Sequence, residues 1–273
     1  MQCRVCKSKH IKFHRVVSGV PIYQCQSCDI AFVHADTPRK KTSHIYSFKD
    51  YQKREDQFRK RYEKTLHLLK KHTTGKKVLE VGAGFGLLSS ILSGNGYEVD
   101  ALEPVVTPHY LKKAPVYIIH KPFDSFAKKT TKKYDAIILY DVFEHVDDPK
   151  ATVALFSKLL AKNGIVFIQT PNYLSLMAKM VKDWSWWMIE DHRFFYSKKS
   201  FELLFSKRSW KKLVYNTYEE WPDFKKNLDG NFGTDKMEKY IFFGWWIPSY
   251  FLLRRVMWSL GRGGLITIIY QKN

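Results

Sequence analysis

The sequence predicts an α/β chain built on a doubly wound, mostly parallel sheet, with a small metal-binding module at its N-terminus. Three observations carry this. Strand and helix patterns alternate from Val78 to Gln169, a glycine loop runs from Gly82 to Gly86, and four cysteines sit in two C-x2-C pairs. One α/β domain of roughly 200 residues plus an appendage accounts for the length. The 45% hydrophobic content suffices to bury a core.

The N-terminal element comes first. Cys3, Cys6, Cys25 and Cys28 are all the cysteines of the chain. Two C-x2-C knuckles supply four thiolates from two tight turns, which matches tetrahedral Zn2+. Four protein ligands leave no open position, so the predicted site is structural. Ile11, Phe13, Val16, Val20, Ile22 and Tyr23 alternate weakly, as in short hairpin strands. Residues 1–36 are therefore assigned to a zinc ribbon. Residues 37–75 are a linker and a basic amphipathic helix, Tyr51–His72, with Phe58, Tyr62, Leu66 and Leu69 at helical spacing.

Residues 76–273 form the main domain. Val78–Val81, Tyr97–Leu102, Val116–Ile119, Tyr134–Tyr140 and Ile165–Gln169 read as strands. Leu87–Leu92 and Pro149–Ala161 read as helices between them, Pro149 suiting an early helical position. Such alternation places helices on both faces of a parallel sheet. Phe201–Phe205 looks helical, and Lys212–Thr217 and Leu265–Tyr270 look like strands. Residues at about 219–260 read as an irregular, aromatic-rich insertion.

The chemistry begins at Glu80-Val81-Gly82-Ala83-Gly84-Phe85-Gly86, between a strand and a helix. Glycines there let the backbone approach a nucleotide-like ligand, and the helix N-terminus adds its dipole. The third glycine, Gly86, comes one place earlier than the dinucleotide fingerprint requires. Glu103 ends the second strand, where a carboxylate can take both ribose hydroxyls. That fixes a ribose without naming the nucleotide.

V-L-E-V-G-A-G-F-G, A-L-E-P and Y-D-A-I-I-L-Y-D-V-F-E-H-V-D-D-P together resemble the class I methyltransferases. The chain is similar to families near the ubiquinone-biosynthesis O-methyltransferases, and to zinc-ribbon-bearing sugar and small-molecule methyltransferases. T-P-N, E-D-H-R-F-F-Y-S and L-G-R-G-G-L-I-T-I-I-Y extend the likeness along nearly the whole chain. The resemblance implies a Rossmann-like sheet and S-adenosyl-L-methionine as cofactor. It implies that Glu80, Gly82, Ala83, Gly84 and Gly86 cradle the methionine side, that Glu103 binds ribose, and that Tyr140 and Asp141 lie beside the methionine moiety. The family's acidic residue after the third strand is replaced here by Pro122, leaving Phe123 to cover the adenine and Asp124 to substitute. Glu144-His145 follows the fourth strand, and His192 lies beyond the fifth. Either histidine is a candidate general base for a hydroxyl acceptor; the other reading is that Glu144 and His145 shape the loop.

Residues 1–75 carry 17 Lys and Arg against 6 Asp and Glu, and residues 176–273 carry 17 against 10. Basic flanks suit an anionic partner. The expected acceptor is a small molecule, glycan precursor or lipid-linked compound; RNA held by the ribbon and the basic helix is the alternative. Trp184–Met188 and Phe242–Trp246 read either as membrane-interface segments or as a buried lid. Ile241–Leu253, followed by Arg254, Arg255 and Arg262, is too short to span a bilayer. It suggests peripheral contact with anionic membrane through residues 241–262. No apolar signal segment opens the chain, so a cytoplasmic location is expected.

Overall fold

The computed structural model describes residues 1–38, 47–105, 116–231, 248–249 and 251–273. The N-terminal part forms β1 (Ile11–Val17), β2 (Val20–Cys25) and β3 (Ala31–Val33). Helices α1 (Phe48–Lys53) and α2 (Glu55–His72) follow. The alternating region holds β4 (Lys77–Val81), α3 (Leu87–Gly94), β5 (Glu98–Leu102), β6 (Ile118–Ile119), α4 (Phe123–Lys129), β7 (Tyr134–Tyr140), α5 (Pro149–Leu159) and β8 (Leu160–Pro171). Beyond it lie α6 (Leu176–Met180), β9 (Phe194–Phe195), α7 (Lys198–Leu204), β10 (Trp210–Tyr218), α8 (Trp221–Asn231) and β11 (Leu265–Lys272).

The main sheet has seven strands in the order β10-β11-β8-β7-β4-β5-β6. Strands β4 to β8 pair in parallel, while β11 runs antiparallel to both β8 and β10. This is the doubly wound α/β sheet expected from the alternation. Its central strands are apolar on both faces, as a sheet covered twice requires. Leu79, Ile137 and Ile168 pack into one cluster, and Val78, Ile138 and Phe167 into another under α2 and α3. Local signals set the helix ends: Asp148 caps α5 by accepting from Lys150 and Ala151, with Pro149 in the first turn.

Two expectations change, and one alternative is decided. The ribbon does not close on itself within residues 1–36, because β9 completes its sheet, Ala31 pairing Phe195 and Phe32 pairing Phe194. The stretch from 219 onward is not irregular throughout, since Trp221–Asn231 is helical and so are residues 251–259. Of the two readings of Trp184–Met188, burial holds and the membrane face does not: Trp184 and Trp187 are buried with Ile22, Val33, Tyr173 and Phe195 between ribbon and main domain. Phe242–Trp246 and most of Ile241–Leu253 lie outside the described residues. Among the described residues no helix is long and apolar enough to cross a membrane.

Candidate active site

The C-terminal ends of β4, β5 and β7 open onto a cavity of about 470 Å³. In open α/β sheets this is where ligands bind. The loop after β4 is held by Gly82 and Ala83, whose amides both donate to the Leu102 carbonyl at 2.8 and 2.9 Å. Gly82 has φ +76°, and a Cβ there would fall 2.3 Å from Val142 Cγ2. Glycine is required by both backbone and neighbour. At Gly84, with φ +54°, a Cβ would meet nothing within 4 Å. The loop therefore leaves open space over its second glycine. Gly86 stands back from the cavity lining and starts α3, in the left-handed conformation.

Glu103 closes the far side. Its carboxylate accepts from the Gly84 amide at 2.9 Å and the Val105 amide at 3.0 Å. One buried carboxylate thus ties the end of β5 to the glycine loop and faces the cavity. Phe123 and exposed Asp124, at the start of α4, line the same cavity. Glu80 is buried in its wall and accepts a hydrogen bond from Ser89 Oγ. Burial pushes its carboxyl up to about 8.

Tyr140 and Asp141 complete the wall at the end of β7. Asp141 has φ +51°, a left-handed conformation that costs a non-glycine residue and clusters at functional sites. Its carboxylate meets Arg61 Nη1 at 3.5 Å and accepts from Gln169 Nε2 at 3.2 Å. Arg61 also donates to both oxygens of Glu220, at 2.9 and 2.6 Å. Tyr218 donates its hydroxyl proton to Gln169 Oε1. These groups form a continuous polar strut from α2 across the sheet. Sequence reading missed Arg61, Gln169, Tyr218 and Glu220, because Arg61 is one of many basic residues on α2 and the others match no motif.

His145 sits in a short 3-10 turn, Phe143–His145, and lines the cavity. Its Nε2 is 3.1 Å from the Asp141 carbonyl, and its Nδ1 is 3.3 Å from both the carbonyl and the carboxylate of Asp191. Burial opposes charge on this ring, but the Asp191 hydrogen bond and the Glu144 and Asp191 charges outweigh it and raise it to about 9. Acceptors at both ring nitrogens favour the protonated ring. That arrangement does not suit the general base expected at His145. Burial and the His145 charge hold His192 well below its ordinary value. His192 and Glu144 are each 1% exposed, and neither lines the cavity. His192 Nδ1 faces the Trp186 carbonyl at 3.0 Å, so Nδ1 carries the proton. Its Nε2 then presents a lone pair to Glu144 Oε1 at 4.0 Å. Burial pushes Glu144 up to about 8, and Thr170 Oγ1 donates to its other oxygen at 2.9 Å. These two residues stand behind the wall that carries His145.

The four cysteines converge. Cys3 and Cys28 sulfurs are 3.7 Å apart, Cys6 and Cys25 sulfurs 3.4 Å, and all four lie within 4.8 Å of one another. A tetrahedral zinc with Zn–S near 2.3 Å separates its sulfurs by about 3.8 Å. The Cys6 amide donates to Cys3 Sγ at 3.5 Å. The donor set and its spacing fit a closed tetrathiolate site.

Known proteins can now be set beside this geometry. The methyltransferase domain family matches residues 52–213. A ubiquinone biosynthesis O-methyltransferase from Photorhabdus laumondii is 34% identical over 105 residues, 36% of this chain and 44% of that protein. The enzyme of the same name from Idiomarina loihiensis is 30% identical over 131 residues, 44% of this chain and 51% of that protein. The chain thus spans about half the length of the curated relatives it matches. The crystal structure of a SAM-dependent methyltransferase from Archaeoglobus fulgidus superposes with TM-score 0.54 at 17% identity, covering 82% of this chain and 99% of that one. The sheet order, the loop after β4 and the match over most of the alternating region agree: the chain belongs to the methyltransferase domain family and carries the fold of the class I S-adenosylmethionine-dependent enzymes.

Proposed function

We propose that the protein transfers a methyl group from S-adenosylmethionine to a small-molecule acceptor. The observation that carries this reading is Glu103, anchored by the Gly84 and Val105 amides in the wall of the cavity at the strand ends. Glu103 would take the ribose hydroxyls. The backbone from Gly82 to Gly84 would lie along the methionine portion, with Tyr140 and Asp141 beside it and Phe123 and Asp124 toward the base. The bound cofactor supplies an already activated methyl group. The chain's own work is to hold two reactants in line and exclude water, and proximity of this kind is worth about 7–11 kcal/mol. His145 lines the cavity wall, its ring held by the Asp141 carbonyl and by Asp191. Glu144 and His192 position it from behind.

The names of the relatives support methyl transfer to oxygen. The cysteine cluster supports one structural zinc per chain, held by Cys3, Cys6, Cys25 and Cys28. Incubating the purified protein with methyl-labelled cofactor and fractionated lysate tests the acceptor class. Label in the small-molecule fraction, glycan precursors included, supports the reading. Label confined to RNA supports the alternative acceptor and overturns this one. Absence of S-adenosylhomocysteine binding by calorimetry overturns the cofactor assignment itself.

Peripheral contact with anionic membrane belongs to the same proposal. Leu252, Leu253 and Val256 are exposed on one side of the helical run at 251–259, with exposed Leu260 just after it and Arg254 and Arg255 within it. An apolar face beside cations suits an anionic bilayer. Co-sedimentation with anionic vesicles at low salt is expected, and a protein that stays in solution would remove this part.

A further inference from the structure

A second cavity, of about 830 Å³, adjoins the first and shares Arg61 and Tyr140 with it. Its floor is one row of the main sheet: Tyr140 pairs with Gln169, Gln169 with Thr267, and Thr267 with Asn216. Its roof is α2 together with the helical run at 251–259. The face of α2 turned to this space is unusual. Phe58, Tyr62 and Leu69 form the buried apolar stripe of that helix. The neighbouring stripe, Gln57, Lys60, Arg61, Lys64, Thr65 and Leu68, recurs at the spacing of one helical face and lines the cavity. A stripe that only packed against the sheet would be apolar.

The charges are one-sided. Arg61 and Glu220 neutralise each other through two hydrogen bonds. The other charged side chains lining the cavity are Lys60, Lys64 and Arg255 against Glu219. The remaining walls are broad and flat, with Phe167, Tyr215, Tyr218, Trp221 and Trp258. Aromatic walls with a few cations among them are complementary to a ring-bearing or otherwise apolar body that carries an anionic group.

We infer that this second cavity is the acceptor subsite, and that its ligand is an amphipathic anion whose acidic group meets Lys60, Lys64 and Arg255. The inference rests on the methyltransferase reading and names the class of acceptor for it. The two cavities meet at Arg61 and Tyr140, the wall on which the resemblance places the methionine end of the cofactor. A body lying along the aromatic walls would bring its reactive end to that junction while its anion meets the exposed cations Lys60, Lys64 and Arg255.

The test uses two fluorescent probes of similar shape and different charge. 1-Anilinonaphthalene-8-sulfonate carries an anion, and N-phenyl-1-naphthylamine does not. Both are expected to bind the folded wild-type chain, and 0.5 M salt is expected to weaken only the sulfonate probe. Lys60→Ala/Lys64→Ala/Arg255→Ala is expected to weaken the sulfonate by about tenfold and leave the neutral probe within about twofold. Trp258→Ala is expected to weaken both. Inorganic phosphate alone is expected to compete poorly, since it lacks the apolar body; strong competition by it would mean a bare anion site and overturn the inference. Equal loss of both probes in the triple variant, or no loss, overturns it as well. S-adenosylhomocysteine affinity is measured on the same samples, because none of the three cations lines the cofactor cavity. If that ligand binds and the sulfonate does not, the subsite falls while the methyltransferase reading stands. If that ligand fails to bind the wild type, the methyltransferase reading falls first.

Discussion

Arg61 Nη1 lies 3.5 Å from Asp141 Oδ2, joining a helix that precedes the main sheet to the strained residue that ends β7. The same guanidinium grips Glu220, which follows β10. One side chain therefore holds three distant parts of the sequence around the junction of the two cavities. The helix bearing Arg61 is part of the site and not merely a linker.

Removing that guanidinium takes a buried cation away from two half-buried carboxylates, which keep only the amide donors Gln169 and Gln57. Breaking a buried pair from one side costs about 3–5 kcal/mol. Arg61→Met is expected to lower the melting temperature by roughly 10 °C. Arg61→Met/Asp141→Asn/Glu220→Gln removes the stranded charges and is expected to recover much of that loss, while methyl transfer stays impaired in both. Differential scanning calorimetry decides this. An unchanged melting temperature in the single variant would mean that the pairing contributes no more than a surface contact.

The glycine loop makes a second expectation. Space is open above Gly84, and its amide donates to Glu103. Gly84→Arg would place a cation and a long side chain in the cradle, and its positive φ adds strain. Titration calorimetry is expected to show S-adenosylhomocysteine affinity reduced at least about 100-fold, roughly 3 kcal/mol. Glu103→Ala is expected to lose about tenfold or more, because the buried amides and the ligand hydroxyls then lack an acceptor. Wild-type affinity in both variants would place the cofactor elsewhere.

Much of this was legible in the sequence, for physical reasons that differ by element. β7 and the Ile165–Ile168 part of β8 are apolar on both faces, and runs such as Ile137-Ile138-Leu139 leave little choice of structure. Gly82 and Glu103 announce themselves through conformational need and strand-end position. The Arg61 strut was illegible because its partners are distant in sequence and carry no local pattern. The role of Trp184 and Trp187 was ambiguous for a related reason: an aromatic run looks alike whether it meets lipid or packs under a neighbouring sheet. His145 stood in the sequence as a general-base or loop-shaping candidate; the contact that bears on its protonation, with Asp191, comes from a loop 46 residues away and leaves no local pattern. The ribbon boundary misled because two-residue β9 is too short to show any period.

That shared boundary bears on the zinc site. Cys3, Cys25 and Cys28 pack in the same apolar cluster as Leu139, Phe143 and Tyr196 of the main domain. Tyr173 of the main domain donates to the Asp29 carbonyl at 2.8 Å. Untagged protein is expected to contain about one zinc per chain by metal analysis. Cys25→Ser is expected to lose the metal and to lower the melting temperature of the whole chain in a single transition. A separate low-temperature transition, with the rest of the melt unmoved, would show that the ribbon is an independent module. Metal-free protein with four titratable thiols would end the zinc assignment.

The last expectation concerns pH. Glu80 is buried, and burial raises its carboxyl to about 8 from an ordinary value of 4.5. Between those two values the folded chain holds a proton that the unfolded chain has released. Stability therefore falls as pH rises through this window. Below 4.5 the group is neutral in both states and costs nothing; above 8 the buried charge imposes its full penalty. For a single group the slope inside the window is about 1.4 kcal/mol per pH unit at most. Glu80→Gln keeps the size and a hydrogen-bonding oxygen for Ser89 but cannot ionise. In the ligand-free protein, wild type and variant are expected to melt alike near pH 5, with the variant increasingly the more stable toward pH 8.5. Glu144, pushed up to about 8 in the same way, adds a background slope that both proteins share and that cancels in the difference. Melting curves at half-unit pH steps measure it. Parallel curves for the two proteins would mean that Glu80 is ionised in the fold throughout, and its place in the cavity wall would then be that of a fixed negative charge.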